Sequence, residues 1–139
     1  MKFTNSKTSE IFLNNQRYFV KRDDLLHSDF SGNKARKFYY FLKNDLQGIE
    51  KIISHGSNQS NAMYSLSVLC KLKNLKFDYY VSHLPDILSK NPNGNYKEAL
   101  KNGMNLIIGE IQKTFKENEL FISEGGALKE ASFGIEILA

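Results

Sequence analysis

Val20-Lys21-Arg22-Asp23-Asp24-Leu25-Leu26-His27-Ser28-Asp29-Phe30-Ser31-Gly32-Asn33-Lys34-Ala35-Arg36-Lys37 reads as a strand, a polar turn and the start of a helix. Gly32 relaxes the backbone and Asn33 is a natural N-cap, which puts Lys34 in the first helical turn. Lys37 follows one turn on, and Arg36 is expected within reach. An amine near other cations at the positive end of a helix holds its proton less tightly. That is what a lysine needs to attack a carbonyl and form a Schiff base. Most lysines, however, are only solvated surface charge.

Working outward, the apolar pair Ile52-Ile53 leads into His55-Gly56-Ser57-Asn58-Gln59-Ser60-Asn61. The pair reads as a buried strand and the Gly/Ser/Asn run as a turn, with a helix from Ala62 to about Lys73 behind it. A strand, a small-residue loop and a helix in that order aim backbone N–H groups at one spot suited to a phosphate or carboxylate. The plainer reading is a capped helix, with Ser57 or Asn58 as the cap.

Together these two motifs resemble the 1-aminocyclopropane-1-carboxylate deaminase and D-cysteine desulfhydrase family, pyridoxal-phosphate enzymes of the tryptophan-synthase-β-like fold (fold type II). Asn95-Tyr96 to Gly103 ahead of Met104-Asn105-Leu106-Ile107-Ile108, and Ile122-Ser123-Glu124-Gly125-Gly126, agree with it. The likeness runs from about Tyr18 to the C-terminus. It implies that Lys34 carries pyridoxal 5'-phosphate as an internal aldimine and later moves the substrate proton. It further implies that Lys37 holds the cofactor phosphate, that Asn61 bonds the ring hydroxyl and that Ser60 receives the substrate carboxylate. Gln59 completes that loop on the substrate side. The implied substrate is a small amino acid, 1-aminocyclopropane-1-carboxylate or D-cysteine.

Two departures qualify the likeness. The family commonly has Gln or His after the Ser-Asn pair, whereas this chain has Ala62. Its members are also considerably longer, and their Gly-rich phosphate cup belongs to a second half with no counterpart here. The chain is therefore expected to bind the cofactor poorly alone and to be inactive unless a second polypeptide or a further copy completes the fold. The expected division is residues 1–48 and 126–139 from a large domain, with 49–125 as a small α/β domain. The alternative is a non-catalytic remnant, or a split-enzyme subunit, that binds an anion or a partner protein.

At 139 residues and 41% hydrophobic, the sequence suits one domain with a real core. A net charge of +4 suits an anionic ligand, and no nucleic-acid-binding motif accompanies it. Lys21, Arg22, Lys34, Arg36, Lys37 and Lys43 could form a basic patch, though solvated helix faces explain most of it. The single Cys70 excludes an internal disulfide and is expected to pack among Leu66, Leu69 and Leu72. With no signal-like start and no membrane-spanning run, a cytoplasmic protein is expected. His27, His55 and His83 lack metal-ligand spacing, so no metal is expected. Glu124 reads as a surface acid beside a turn, and Tyr39, Tyr40, Tyr79 and Tyr80 as packing residues. Asp23 is expected to pair with Arg22 or Lys21.

The remaining pattern is that of an α/β protein with a largely parallel sheet and helices on its faces. Phe12-Leu13 and Tyr18-Phe19-Val20 flank Asn14-Asn15-Gln16, a hairpin. Lys34 to Leu46 carries apolar Ala35, Phe38, Phe41 and Leu42 at helical spacing, with Gly48 as a stop. Strands are expected at Phe77–Val81, Met104–Ile108 and Glu119–Ile122, with a Pro85/Pro92 loop and a short helix around Tyr96 to Leu100. Ala131 to Ala139 is expected to form an amphipathic helix whose Phe133, Ile137 and Leu138 need a surface to cover them.

Overall fold

Ile52, Ile53 and Ser54 are buried one after another, as in a strand covered on both faces, and they form the middle of the principal sheet. The computed structural model describes residues 6–30 and 33–136. Four parallel strands lie in the order β5-β4-β3-β6: β3 (Lys51–His55), β4 (Lys76–Val81), β5 (Met104–Ile108) and β6 (Glu119–Ile122). The α/β architecture expected from the sequence, a parallel sheet flanked by helices, is present.

The crossovers from β3 to β4 and from β4 to β5 run in the same direction across the sheet. β3 reaches β4 through α3 (Asn61–Lys73), and β4 reaches β5 through α4 (Asp86–Lys90) and α5 (Gly94–Lys101). Right-handed crossovers of one direction place their helices on one face, and α3 and α5 do pack on each other. Phe77, Tyr79 and Val81 alternate inward on β4 toward that face. The other face carries the return segment from β5 to β6, where Phe115 stacks on Phe121 at 4.9 Å and Phe121 on His55 at 5.8 Å. On the same face Lys51 bridges Asp78 at 2.9 Å and Glu119 at 3.4 Å.

Helix α3 has weak apolar periodicity because its middle is enclosed on nearly every side. Ala62, Met63 and every residue from Ser65 to Cys70 are buried. Its start is capped by Ser60, whose Oγ accepts from the Ala62 and Met63 N–H groups at 3.1 and 3.3 Å. The cap is thus Ser60, not Ser57 or Asn58, because the loop needs three more residues to turn from β3 onto the helix axis. Asn74 closes the helix in the left-handed conformation, φ +55°. Burial pushes the Cys70 thiol up, consistent with packing, whereas Leu72 is exposed.

The N-terminal hairpin forms as expected. β1 (Thr8–Leu13) and β2 (Gln16–Lys21) pair antiparallel around Asn14 and Asn15, both at positive φ. Where one helix is expected over residues 34–46, there are two: α1 (Lys34–Lys37) and α2 (Tyr39–Lys43). The break falls at Phe38, a fully buried ring lying against Gly126, where any Cβ would stand 2.7 Å from Cε1. Pro85 opens the short α4 in place of a plain loop.

The final helix α6 (Glu130–Ile135) packs on α1 and α2. Phe133 stacks on Tyr39 at 5.9 Å, so the chain itself supplies part of its cover, and the ring stays 40% exposed. The expectations for Gly32, Ile137 and Leu138 fall outside the described residues.

Candidate functional site

The carboxyl ends of β3, β4, β5 and β6 converge on a cavity of about 760 Å³ lined by His55, Gly56, Ser57, Tyr80, Lys113 and Glu124, among others. Crevices at this edge of a parallel sheet are the usual place for a ligand. Gly56, at φ +144°, is where β3 ends, and a Cβ there would lie 2.6 Å from Tyr79 Oη and 2.9 Å from Glu124 Oε1. Only glycine lets these two side chains close on the loop. Tyr79 Oη donates to the Ser57 carbonyl at 3.2 Å. Burial raises the Tyr79 phenol to about 12; a bond with Ser60 opposes the rise, and the Glu124 charge adds to it. Tyr79 is buried and Glu124 exposed beside a turn, as the sequence suggests, but their meeting at Gly56 is not legible there. They are 45 positions apart, and only the β4–β3–β6 register brings them together.

The Gln59-Ser60-Asn61 segment lies at the positive end of α3. The Ser60 hydroxyl is engaged as the cap. Gln59 turns toward the next crossover: its Nε2 donates to the Asn93 carbonyl at 3.2 Å, and its Oε1 accepts weakly from Tyr96 N–H at 3.4 Å. Asn61 Oδ1 accepts from Asn95 Nδ2 at 2.8 Å. Gln59 therefore ties the loop to the start of α5, and Asn61, exposed at the helix tip, holds one amide end free of its contact with Asn95.

Lys34 opens α1, and its Nζ donates to Asn33 Oδ1 at 3.0 Å. Asn33 stands at the cap position but makes no side-chain cap bond, because its oxygen faces the amine instead. Burial first, and then the charge of Lys37, lower the pKa of the Lys34 amine. Arg36 takes no part, contrary to expectation. It is 2% exposed and turned inward, with Nε 2.7 Å from Asp23 Oδ2 and Nη2 2.9 Å from Asp23 Oδ1. Asp23 thus pairs with Arg36, while Arg22 pairs with Asp24 at 2.7 Å. The chain bends into a 3-10 turn over Asp23–Leu25, which places the two acids apart. With Arg22 and Arg36 neutralised, the expected basic patch is dispersed.

Lys37 connects the two motifs. Its Nζ donates to the Gly125 carbonyl at 3.0 Å, and Gly125 follows Glu124, whose carboxylate lies against Gly56. The Lys34 helix is thereby joined to the loop after β3 through the turn after β6. None of Lys34, Lys37, Gln59, Ser60 and Asn61 lines the cavity, whose nearest lining residues in sequence are Gly56 and Ser57, ahead of Gln59, and Glu124, next to the Gly125 that Lys37 holds.

The residues fit an anionic aldehyde cofactor in their chemistry. The Lys34 amine has a lowered pKa beside the Lys37 ammonium, and the Gln-Ser-Asn segment offers the Asn61 amide and the N-terminus of α3. Among the described residues no cluster of His, Cys, Asp or Glu could hold a metal ion, and no helix is long and apolar enough to cross a membrane.

Comparison with known proteins finds no matching family model and no matching curated protein. Solved structures do match. A crystal structure of an ACC deaminase homologue superposes with a TM-score of 0.74 at 20% identity, over 99% of this chain and 48% of that one. The two share a fold. This chain spans about half the length of the ACC deaminase homologue. At that identity the likeness speaks for the architecture of the sheet and its helices.

Proposed function

We propose that this chain forms part of a pyridoxal-phosphate-dependent enzyme acting on a small amino acid. The observation that carries the reading is structural. The chain shares a fold with an ACC deaminase homologue over nearly its whole length, and the Lys37–Gly125 bond fastens the Lys34 helix to the turn whose Glu124 lies against Gly56, just ahead of the Gln-Ser-Asn loop. When bound, pyridoxal phosphate supplies an aldehyde for amine exchange and an electron-withdrawing ring.

The chain's own residues would work as follows. Lys34 Nζ, with its lowered pKa, would take up and return a proton at a substrate carbon. Lys37 contributes the positive charge that favours a phosphate. Asn61 offers an amide to the ring oxygen, and the α3 terminus at Ser60 attracts the substrate carboxylate. Gln59 holds the loop in shape rather than touching substrate, as its bonds to Asn93 and Tyr96 indicate. Ala62 leaves the choice between 1-aminocyclopropane-1-carboxylate and D-cysteine to groups on the opposite wall. Deamination or desulfhydration would follow from that choice.

The same reading has a second polypeptide, or a further copy of this chain, supply that wall. It assigns residues 1–48 and 126–139 to a large domain and 49–125 to a small one, supported by the packing of α6 on α1 and α2. A cytoplasmic setting goes with it, supported by the single buried thiol of Cys70.

A second reading is a non-catalytic chain that binds an anion or a partner. It is favoured by Lys37 being tied to Gly125 and by Lys34 not lining the cavity at the strand ends. Incubation with pyridoxal phosphate, borohydride reduction and peptide mapping decides between them. Labelling concentrated on Lys34 and lost in Lys34→Ala supports the enzyme reading; labelling spread over many lysines rejects it.

A further inference from the structure

The first turn of α5, with Asn93 just before it, clasps the Gln59–Asn61 loop more closely than a connection requires. Asn95 Nδ2 donates to both the Gln59 carbonyl at 3.0 Å and Asn61 Oδ1 at 2.8 Å. Gln59 returns the contact through Nε2 to the Asn93 carbonyl at 3.2 Å. Gly94, at φ +55°, gives way to Gln59, since a Cβ there would stand 2.7 Å from Oε1. The turn is anchored behind by Tyr96 and Ala99, 6% and 0% exposed.

This geometry fixes which end of each amide is which. A backbone carbonyl can only accept, so the Asn95 end facing Gln59 must be the amino end. The same group faces Asn61, so the Asn61 end turned toward it must be the oxygen. With Oδ1 held, Asn61 has its Nδ2 left to meet a ligand. The direction of one exposed amide at the α3 tip is thereby decided by a residue on another crossover.

We propose that Asn95 is a positioning residue that makes Asn61 a hydrogen-bond donor toward the site, restricting the ligand there to an acceptor oxygen. The inference rests on the pyridoxal reading, in which that oxygen belongs to the cofactor ring. It adds a requirement on Asn95 that no role of Asn61 alone contains.

The test compares equilibrium binding of pyridoxal phosphate and its 3-deoxy analogue, which lacks the ring oxygen, to the full chain. Wild type should prefer pyridoxal phosphate by roughly tenfold, the size of one hydrogen bond to a charged oxygen. Asn95→Asp replaces the donor by a group that only accepts, so the Asn61 amide turns over and the preference disappears. Asn95→Ala, which introduces no charge, should keep a reduced preference, and Asn61→Ala should abolish it. Retention of the wild-type preference in Asn95→Asp overturns the proposal.

A cofactor-free readout separates this from the pyridoxal reading. The Asn61 side-chain amide resonances in a ¹⁵N NMR spectrum should move in Asn95→Asp, while backbone resonances of β3 to β6 stay in place. If they do not move, Asn95 does not orient Asn61, whatever the ligand. If they move but wild type binds both compounds equally, the positioning stands for an acceptor oxygen of another ligand and the pyridoxal reading falls.

Discussion

Lys37 Nζ donates to the Gly125 carbonyl oxygen at 3.0 Å, and through that bond the helix bearing Lys34 is fastened to the turn beside Gly56. The same ammonium helps to lower the pKa of Lys34, after burial. Removing it in Lys37→Met should therefore raise the Lys34 pKa. The pH at which reductive methylation of Lys34 reaches half its maximum rate, read by mass spectrometry, should move upward. An unchanged or lower midpoint would mean the two amines do not feel each other.

Asp23 and Arg36 set an acid limit on stability. The hydrogen bonds from Arg36 hold the Asp23 carboxyl below its ordinary value. A carboxylate with a depressed folded pKa contributes stability above its unfolded value, near pH 4, and loses it as the pH falls toward the folded one. Asp23→Asn leaves the buried guanidinium without its counter-ion and should cost about 3 kcal/mol at pH 7. Urea unfolding at pH 7 and pH 3 should show a smaller pH difference in the variant than in wild type.

Gly134 is a packing requirement of a different kind. A Cβ there would fall 1.9 Å from the Arg36 carbonyl oxygen, so α6 crosses α1 at backbone distance. Gly134→Ala must push the helices apart and should lower stability by about 2–3 kcal/mol. The denaturation midpoint should fall, and limited proteolysis should cut earlier between residues 127 and 130.

Tyr79 should be the last tyrosine to ionise. With its phenol pushed up to about 12, against an unfolded value near 10, it stays neutral where exposed tyrosines titrate. The stability it contributes is complete below the unfolded value and is lost as the pH climbs toward 12. Ultraviolet titration should show a late step that Tyr79→Phe removes. The same change deletes the bond to Ser57 and should cost about 1 kcal/mol.

Much of the architecture could be read locally. Asn14-Asn15 declares its turn because two consecutive positive-φ positions suit asparagine, and Ile52-Ile53 between turns declares a buried strand. Phe38 could not be read so, since helical spacing says nothing of a ring seated under Gly126, 88 residues away. Asp23 was misplaced for the same reason: its partner Arg36 lies across a turn, not beside it on a strand. The Lys34 and Gln-Ser-Asn motifs were legible as motifs. Tyr79, Glu124 and Asn95 were not, because sheet register and the packing of two crossovers bring them there.

Helix α3 has one more implication. It touches the sheet, α5, α1 and α2 together, and its side chains belong to a single apolar cluster that includes Phe38, Met63 and Leu66. A hinge between the N-terminal segment and the sheet would have to wet part of that cluster, at roughly 1.5–3 kcal/mol for each large side chain. Helix α3 therefore works as a bolt across the seam, and any ligand that the site took would have to be accommodated by the loops at the strand ends rather than by swinging one half of the chain against the other.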